Sequence, residues 1–222
     1  MKFFQGRGRE VTKSAPRVAA NPNHKVIISG PGRSGTTLIM QLLTELGFDT
    51  GFTPESMQVS DISHAGLEQG LFTKPHRKAP LAPNYIIKSP LISDNLALGC
   101  ERGDLVVDHV YIPIRPLNEV ARSRARVSEI EAGHPGGFDP GLDLQAQIDG
   151  SARSFFTLMD TITRYDLPHT FIAFPRLATD PRYLYDKLGF LCSGLNYEPF
   201  LHAYNALVNP ALIHKFQGEV SL

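Results

Sequence analysis

The chain has 222 residues, 42% of them hydrophobic and 20% charged, enough apolar material for one sizeable core and a single main domain. Lys plus Arg equal Asp plus Glu at 22 each, which argues against a polyanionic partner such as duplex nucleic acid. Only Cys100 and Cys192 are present, giving neither a disulfide framework nor a metal-ligand spacing and fitting a reducing compartment.

Residues 1–24 are polar, basic and interrupted by Pro16 and Pro22, so a loosely ordered arm is expected ahead of a domain over 25–222. The start carries no signal-type apolar core, and no apolar run nears the roughly 20 residues that span a bilayer. The expectation is a cytoplasmic protein with no integral membrane segment.

Residues 25–29, Lys-Val-Ile-Ile-Ser, read as a strand. A helix is predicted from Thr37, with Leu38, Ile39, Leu42, Leu43 and Leu46 at helical spacing and Gly47 as its stop. The stretch 48–83 is rich in Gly and Pro, with one short helix expected near 60–71. An insert this long inside a compact domain reads as a lid or substrate loop.

A second strand is expected at 84–88, followed by a helix-compatible run to Ala97. The third, 105–114, contains Pro113, which cannot donate to a ladder and predicts an edge position or a bulge near the strand's end. A helix over 117–132, a Gly/Pro-rich turn over 133–141 and a long amphipathic helix marked by Leu144, Ile148, Phe155, Met159 and Ile162 lead to a fourth strand at 170–174. Helical pieces at 181–188 and 198–208 follow. Strands alternating with helices, the first feeding a glycine-rich loop, predict an α/β fold: a P-loop NTPase-like parallel sheet flanked by helices in three αβα layers.

The chemistry concentrates in Gly30-Pro31-Gly32-Arg33-Ser34-Gly35-Thr36-Thr37-Leu38, between the first strand and the first helix. Backbone N–H groups converging there at a helix N-terminus make an anion site. The triphosphate form of such a loop ends Gly-Lys-[Ser/Thr], but here Thr36 stands in the lysine's place and Arg33 is the loop's cation. Metal-dependent P-loop enzymes commonly end a neighbouring strand with an Asp that holds magnesium; this chain ends its third strand with Arg115, suited to binding a phosphate directly. Ser123, eight residues on and about two helical turns in, adds a hydroxyl to the same anion if its helix folds back. Of Arg122, Arg124 and Arg126, one or two at most are expected to face a ligand.

The loop and the Arg115–Ser123 pair together resemble the sulfotransferases that use 3′-phosphoadenosine 5′-phosphosulfate, in the Arg-Ser-Gly-Thr-Thr form of the carbohydrate, protein-tyrosine and many bacterial members. The close match covers some thirty residues. The resemblance implies transfer of a sulfuryl group to an acceptor hydroxyl without an essential metal. It implies that Gly32, Arg33, Ser34, Gly35, Thr36 and Thr37 hold the 5′-phosphosulfate, and that Arg115 and Ser123 hold the 3′-phosphate. Arg33 and Lys88 are then catalytic cations. Pro90 occupies the position of the His that serves as base in many cytosolic members, and the base expected here is Glu55, 22 residues beyond Arg33, with Asp61, His64 and His76 as competitors. The glycine-rich adenine segment of the cytosolic branch is absent; residues 174–176 and 210–216 are the alternatives. A small-molecule P-loop kinase and a non-catalytic nucleotide-binding module remain alternative readings. The acceptor is open among small alcohol, carbohydrate, lipid and peptide, and so is the oligomeric state.

Overall fold

Fully buried Val26, Ile27 and Ile28 are the last three residues of the first strand, and their alternation builds a separate core on each face of the sheet. The computed structural model describes residues 21–74, 78–90, 92–134, 136–137 and 141–209. Four strands, β1 (His24–Ile28), β2 (Ile86–Lys88), β3 (Val106–Ile114) and β4 (His169–Ala173), pair in parallel in the order β2-β1-β3-β4. Parallel strands covered on both faces read as near-continuous apolar runs, which is why these segments stand out in the sequence.

The helices are α1 (Thr36–Glu45), α2 (Ser93–Arg102), α3 (Leu117–Ile130), α4 (Leu144–Arg164), α5 (Pro181–Lys187), α6 (Gly189–Cys192) and α7 (Tyr197–Leu207). On one face Val26, Ile28, Ile86, Tyr111 and Ile172 pack with α1, α5, α6 and α7, through residues such as Leu42, Leu184 and Phe200. On the other, Ile27, Ile87, Val110 and Ile112 meet Leu96 of α2 and Leu158 and Ile162 of α4. The result is a three-layer α/β domain. Among the described residues no helix is long and apolar enough to cross a membrane.

Two expectations are corrected. Pro113 lies in an interior strand, since β3 pairs with β1 on one side and β4 on the other. The ladder explains its tolerance: Tyr111 accepts from Ser29 N–H on the β1 side, while Val110 and Ile114 bond on the β4 side. By that alternation the Pro113 nitrogen points toward β1, beyond its end at Ile28, where no ladder partner is needed. The register irregularity in β3 falls instead near its start, opposite Lys25 and Val26.

No helix forms among the described residues of 48–83. His64 (φ 50°), Gly66 (φ 146°) and Leu67 (φ 63°) adopt conformations that a right-handed helix excludes. The insert is nevertheless anchored: Leu67 joins one core, Leu71 and Phe72 the other, and Gln69 N–H bonds the Lys88 carbonyl at 2.8 Å. Residues 1–20, His76 and the 210–216 tail lie outside the described residues.

Candidate functional site

Each strand is followed at its carboxyl end by a residue facing the same space. Ser29 after β1, Ser89 after β2, Arg115 after β3 and Phe174 after β4 all line one cavity of about 930 Å³. Open parallel sheets place their ligand sites at this edge.

The glycine-rich loop forms the cavity floor. Gly35, at φ 94°, is the N-cap of α1, and no side chain caps the helix. The first intrahelical bond is Ile39 N–H to Gly35 O, so the N–H groups of Thr36, Thr37 and Leu38 precede the helical ladder. Gly30 is sterically required: a Cβ there would stand 2.7 Å from the Pro113 carbonyl oxygen. The close pass of loop over β3 brings Arg33 to Arg115, whose Nη1 donates to Arg33 O at 3.1 Å. Ser34 is buried and off the cavity; its hydroxyl donates to Pro31 O and braces the loop from behind.

Arg33 itself is left-handed, at φ 65°, which swings its side chain across the cavity. Its Nε donates to Ser123 Oγ at 3.2 Å, and its Nη1 donates to the Ser63 carbonyl of the insert. The structure thus joins three residues separated by up to 90 positions. Arg115 is 5% exposed, pairs through Nε with Glu119 at 3.1 Å, and lays its guanidinium 4.5 Å from the centre of the Phe174 ring. Of Arg122, Arg124 and Arg126, Arg124 lines the cavity, its Nε donating to Gly137 O at 2.8 Å.

These guanidiniums crowd one another. Burial first, and then the Arg115 and Arg124 charges, push the Arg33 guanidinium down to about 10, still protonated at neutral pH. Burial also lowers Arg115, with Glu119 opposing. Arg33's own bonds go to a hydroxyl and a carbonyl, neither of which neutralises it. A site with this imbalance favours an anion.

Lys88, at the end of β2, is fully buried. Its Nζ donates to Thr37 Oγ1 at 3.0 Å, Gly66 O at 2.6 Å and Glu68 Oε1 at 2.5 Å. Burial lowers its pKa and the Glu68 carboxylate partly restores it.

Glu55 lies in an exposed turn and does not line the cavity, and neither does Asp61; His64 does. Glu68, which carries no motif, is the carboxylate the fold delivers. Its place depends on the left-handed residues 64, 66 and 67, a conformation no local pattern announces. Phe174 lines the cavity, whereas Arg176 is exposed, paired with Asp180 and stacked over Tyr183.

The insert is clipped to the turn after α3. Ser60 Oγ accepts from Ile62 N–H at 3.1 Å and Ser63 N–H at 3.0 Å, and lies 2.7 Å from His134 Nε2. With both lone pairs used, the hydroxyl donates to His134, whose Nδ1 faces Glu131 at 3.0 Å. No family model, curated protein or solved structure matches the chain.

Proposed function

We propose that this chain is a sulfotransferase that moves a sulfuryl group from 3′-phosphoadenosine 5′-phosphosulfate to an acceptor hydroxyl. The observation that carries the reading is the convergence of Arg33, Arg115 and Ser123 on one cavity at the uncapped start of α1. Two anionic groups of one nucleotide suit this arrangement: the phosphosulfate over the loop amides of Gly32, Gly35, Thr36 and Thr37, the 3′-phosphate on Arg115 and Ser123. The nucleoside then lies along Phe174.

In the transfer, the acceptor oxygen attacks sulfur as the bond from sulfur to the bridging phosphate oxygen breaks. The products are a sulfate ester and 3′,5′-adenosine bisphosphate. Arg33 and the loop amides offset charge growing on the leaving phosphate, and Lys88 faces the sulfuryl oxygens. Glu68 takes the acceptor's proton; it lines the cavity beside Lys88, within reach of the same reacting group. That carboxylate favours an enzyme over a binding module. A small-molecule kinase would call for a metal-holding carboxylate where Arg115 stands. The two free thiols fit a cytoplasmic location.

Thermal denaturation tests the donor. 3′,5′-Adenosine bisphosphate at 100 times its dissociation constant should add about 2.7 kcal/mol, with ADP and ATP adding less. Preference for ATP would overturn the reading. Arg115→Ala should abolish the discrimination between 3′,5′-adenosine bisphosphate and ADP.

A further inference from the structure

The cavity has two unlike walls, one from each face of the sheet. Leu38, Phe174, Ala178 and Val208 belong to the layer of α1 and α7, and they flank Arg115 through its stack on Phe174. The facing wall is α4. Ala146, Gly150, Ser154 and Leu158 recur every four residues along it, joined by Gln147, Ser151 and Phe155. Between Ala146 and Leu158 this stripe runs about 18 Å.

At its far end Phe155 and Leu158 pack with Ile87, the residue before Lys88. The α4 wall and the Lys88–Glu68 pair line the same cavity. At its near end it reaches Leu142, 45% exposed at the cavity mouth. No α4 residue lining the cavity carries a charge, and Val59 of the insert adds a further apolar side chain opposite. The cations lining the cavity stand on the loop, at the end of β3, at the end of β2 and on α3, none of them on α4.

Gly150 is the barest point of the stripe. A mid-helix glycine is destabilising relative to alanine and is kept where backbone must be closely approached. Here, among the described residues and apart from the helix's own backbone, nothing lies within 4 Å of the Cβ that another residue would bring. No packing neighbour demands the glycine, and the open space over it is the cavity itself. A volume of about 930 Å³ is also at the upper end of the roughly 300–1,000 Å³ common for one ligand. It leaves room beside a nucleotide.

We infer that the α4 wall is the acceptor site, and that the acceptor is an uncharged alcohol with an elongated apolar body, laid along Ala146, Gly150 and Leu158 with its hydroxyl at Glu68. An anionic acceptor would find no cation on this wall and would meet the Glu68 carboxylate. Gln147, Ser151 and Ser154 are the polar side chains of the stripe, and Ala146, Gly150, Phe155 and Leu158, with Leu142 and Val59, supply its apolar part. The inference rests on the donor reading above, which supplies the sulfuryl group; the acceptor hydroxyl loses its proton to Glu68 and gains the sulfuryl group.

Ligand-observed NMR separates the two. 1-Octanol and glucose are the acceptor probes, and 3′,5′-adenosine bisphosphate is the donor-side probe. Octanol should bind and glucose should not; Gly150→Leu should weaken octanol at least 10-fold while bisphosphate binding is kept. Gly150→Ala, whose Cβ enters the same open space, should weaken octanol by less than Gly150→Leu does, and bisphosphate binding retained by both variants reports that they are folded. Undiminished octanol binding in folded Gly150→Leu, or binding of glucose in preference to octanol, overturns the acceptor assignment. If octanol behaves as stated but the bisphosphate does not bind, the apolar groove stands and the donor reading falls. In transfer assays with the labelled donor, Gly150→Leu should raise KM for octanol and leave KM for the donor unchanged.

Discussion

Arg33 holds a full charge in a place that disfavours it, because burial and two neighbouring guanidiniums act together. Its folded pKa, about 10, is below its ordinary value, so between the two the unfolded chain retains a proton that the folded chain has lost. Stability from this group therefore rises with pH only above about 10; at neutral pH it is a constant destabilising load that a bound anion relieves. Bisphosphate binding should accordingly take up protons near pH 10 and weaken as pH rises further, measured by calorimetry in two buffers of different ionisation enthalpy. For the proton of the acceptor, Glu68→Gln should cut kcat by about 10²–10⁴-fold, the usual contribution of a general base. His64→Gln and Glu55→Gln should stay within a few-fold; a reversal between Glu68 and His64 would move the base to the imidazole. That Arg33 and Arg115 share one cavity was open to inspection in the sequence, since Arg33 is the cation of a loop with Thr36 in the lysine's place and Arg115 stands where metal-dependent relatives of the loop carry an aspartate. Glu68 was not, because backbone turns far from any motif bring it to Lys88.

Among the elements, β1, the glycine-rich loop and α1 follow directly from residue pattern: a doubly buried apolar run, then Gly, then leucines at helical spacing. Helix α4 was equally legible as an amphipathic element, but its second role was not. Periodicity marks large apolar residues, and Gly150, in line with Ala146 and Ser154, carries no side chain for it to register. Pro113 misled for a related reason. Proline forbids one ladder bond, and the sequence does not say that β1 ends just before that bond would be made. The same crossing yields a stability test. Gly30→Ala would press its Cβ onto the Pro113 carbonyl, a backbone atom with little freedom to yield. The substitution should lower unfolding free energy by about 1–3 kcal/mol in urea titration. Gly150→Ala, on the open face of α4, should instead raise it by roughly 0.5–1 kcal/mol.

For the molecule as a whole, alternation of strands and helices was enough to expect a parallel sheet in three layers. Strand order and the path of the insert were beyond reach, since both are fixed by contacts between residues distant in sequence. The insert matters most at this scale because it closes the site from one side. It was legible as an irregular segment but not as one anchored in both cores by Leu67, Leu71 and Phe72.

Its grip has a kinetic meaning. Arg33 donates to the carbonyl of Ser63 and Lys88 to that of Gly66, so the protein's own backbone oxygens engage the cations that a nucleotide's oxygens would use. A donor must evict an internal competitor. Its apparent dissociation constant is then the intrinsic one divided by the fraction of molecules whose insert has let go. Loosening the insert should therefore tighten binding. Ser60→Ala removes the hydroxyl that ties His134 to the amides of Ile62 and Ser63. In stopped-flow mixing it should bind 3′,5′-adenosine bisphosphate faster than the parent, and a slower rate would show that the insert guides the ligand rather than impersonating it.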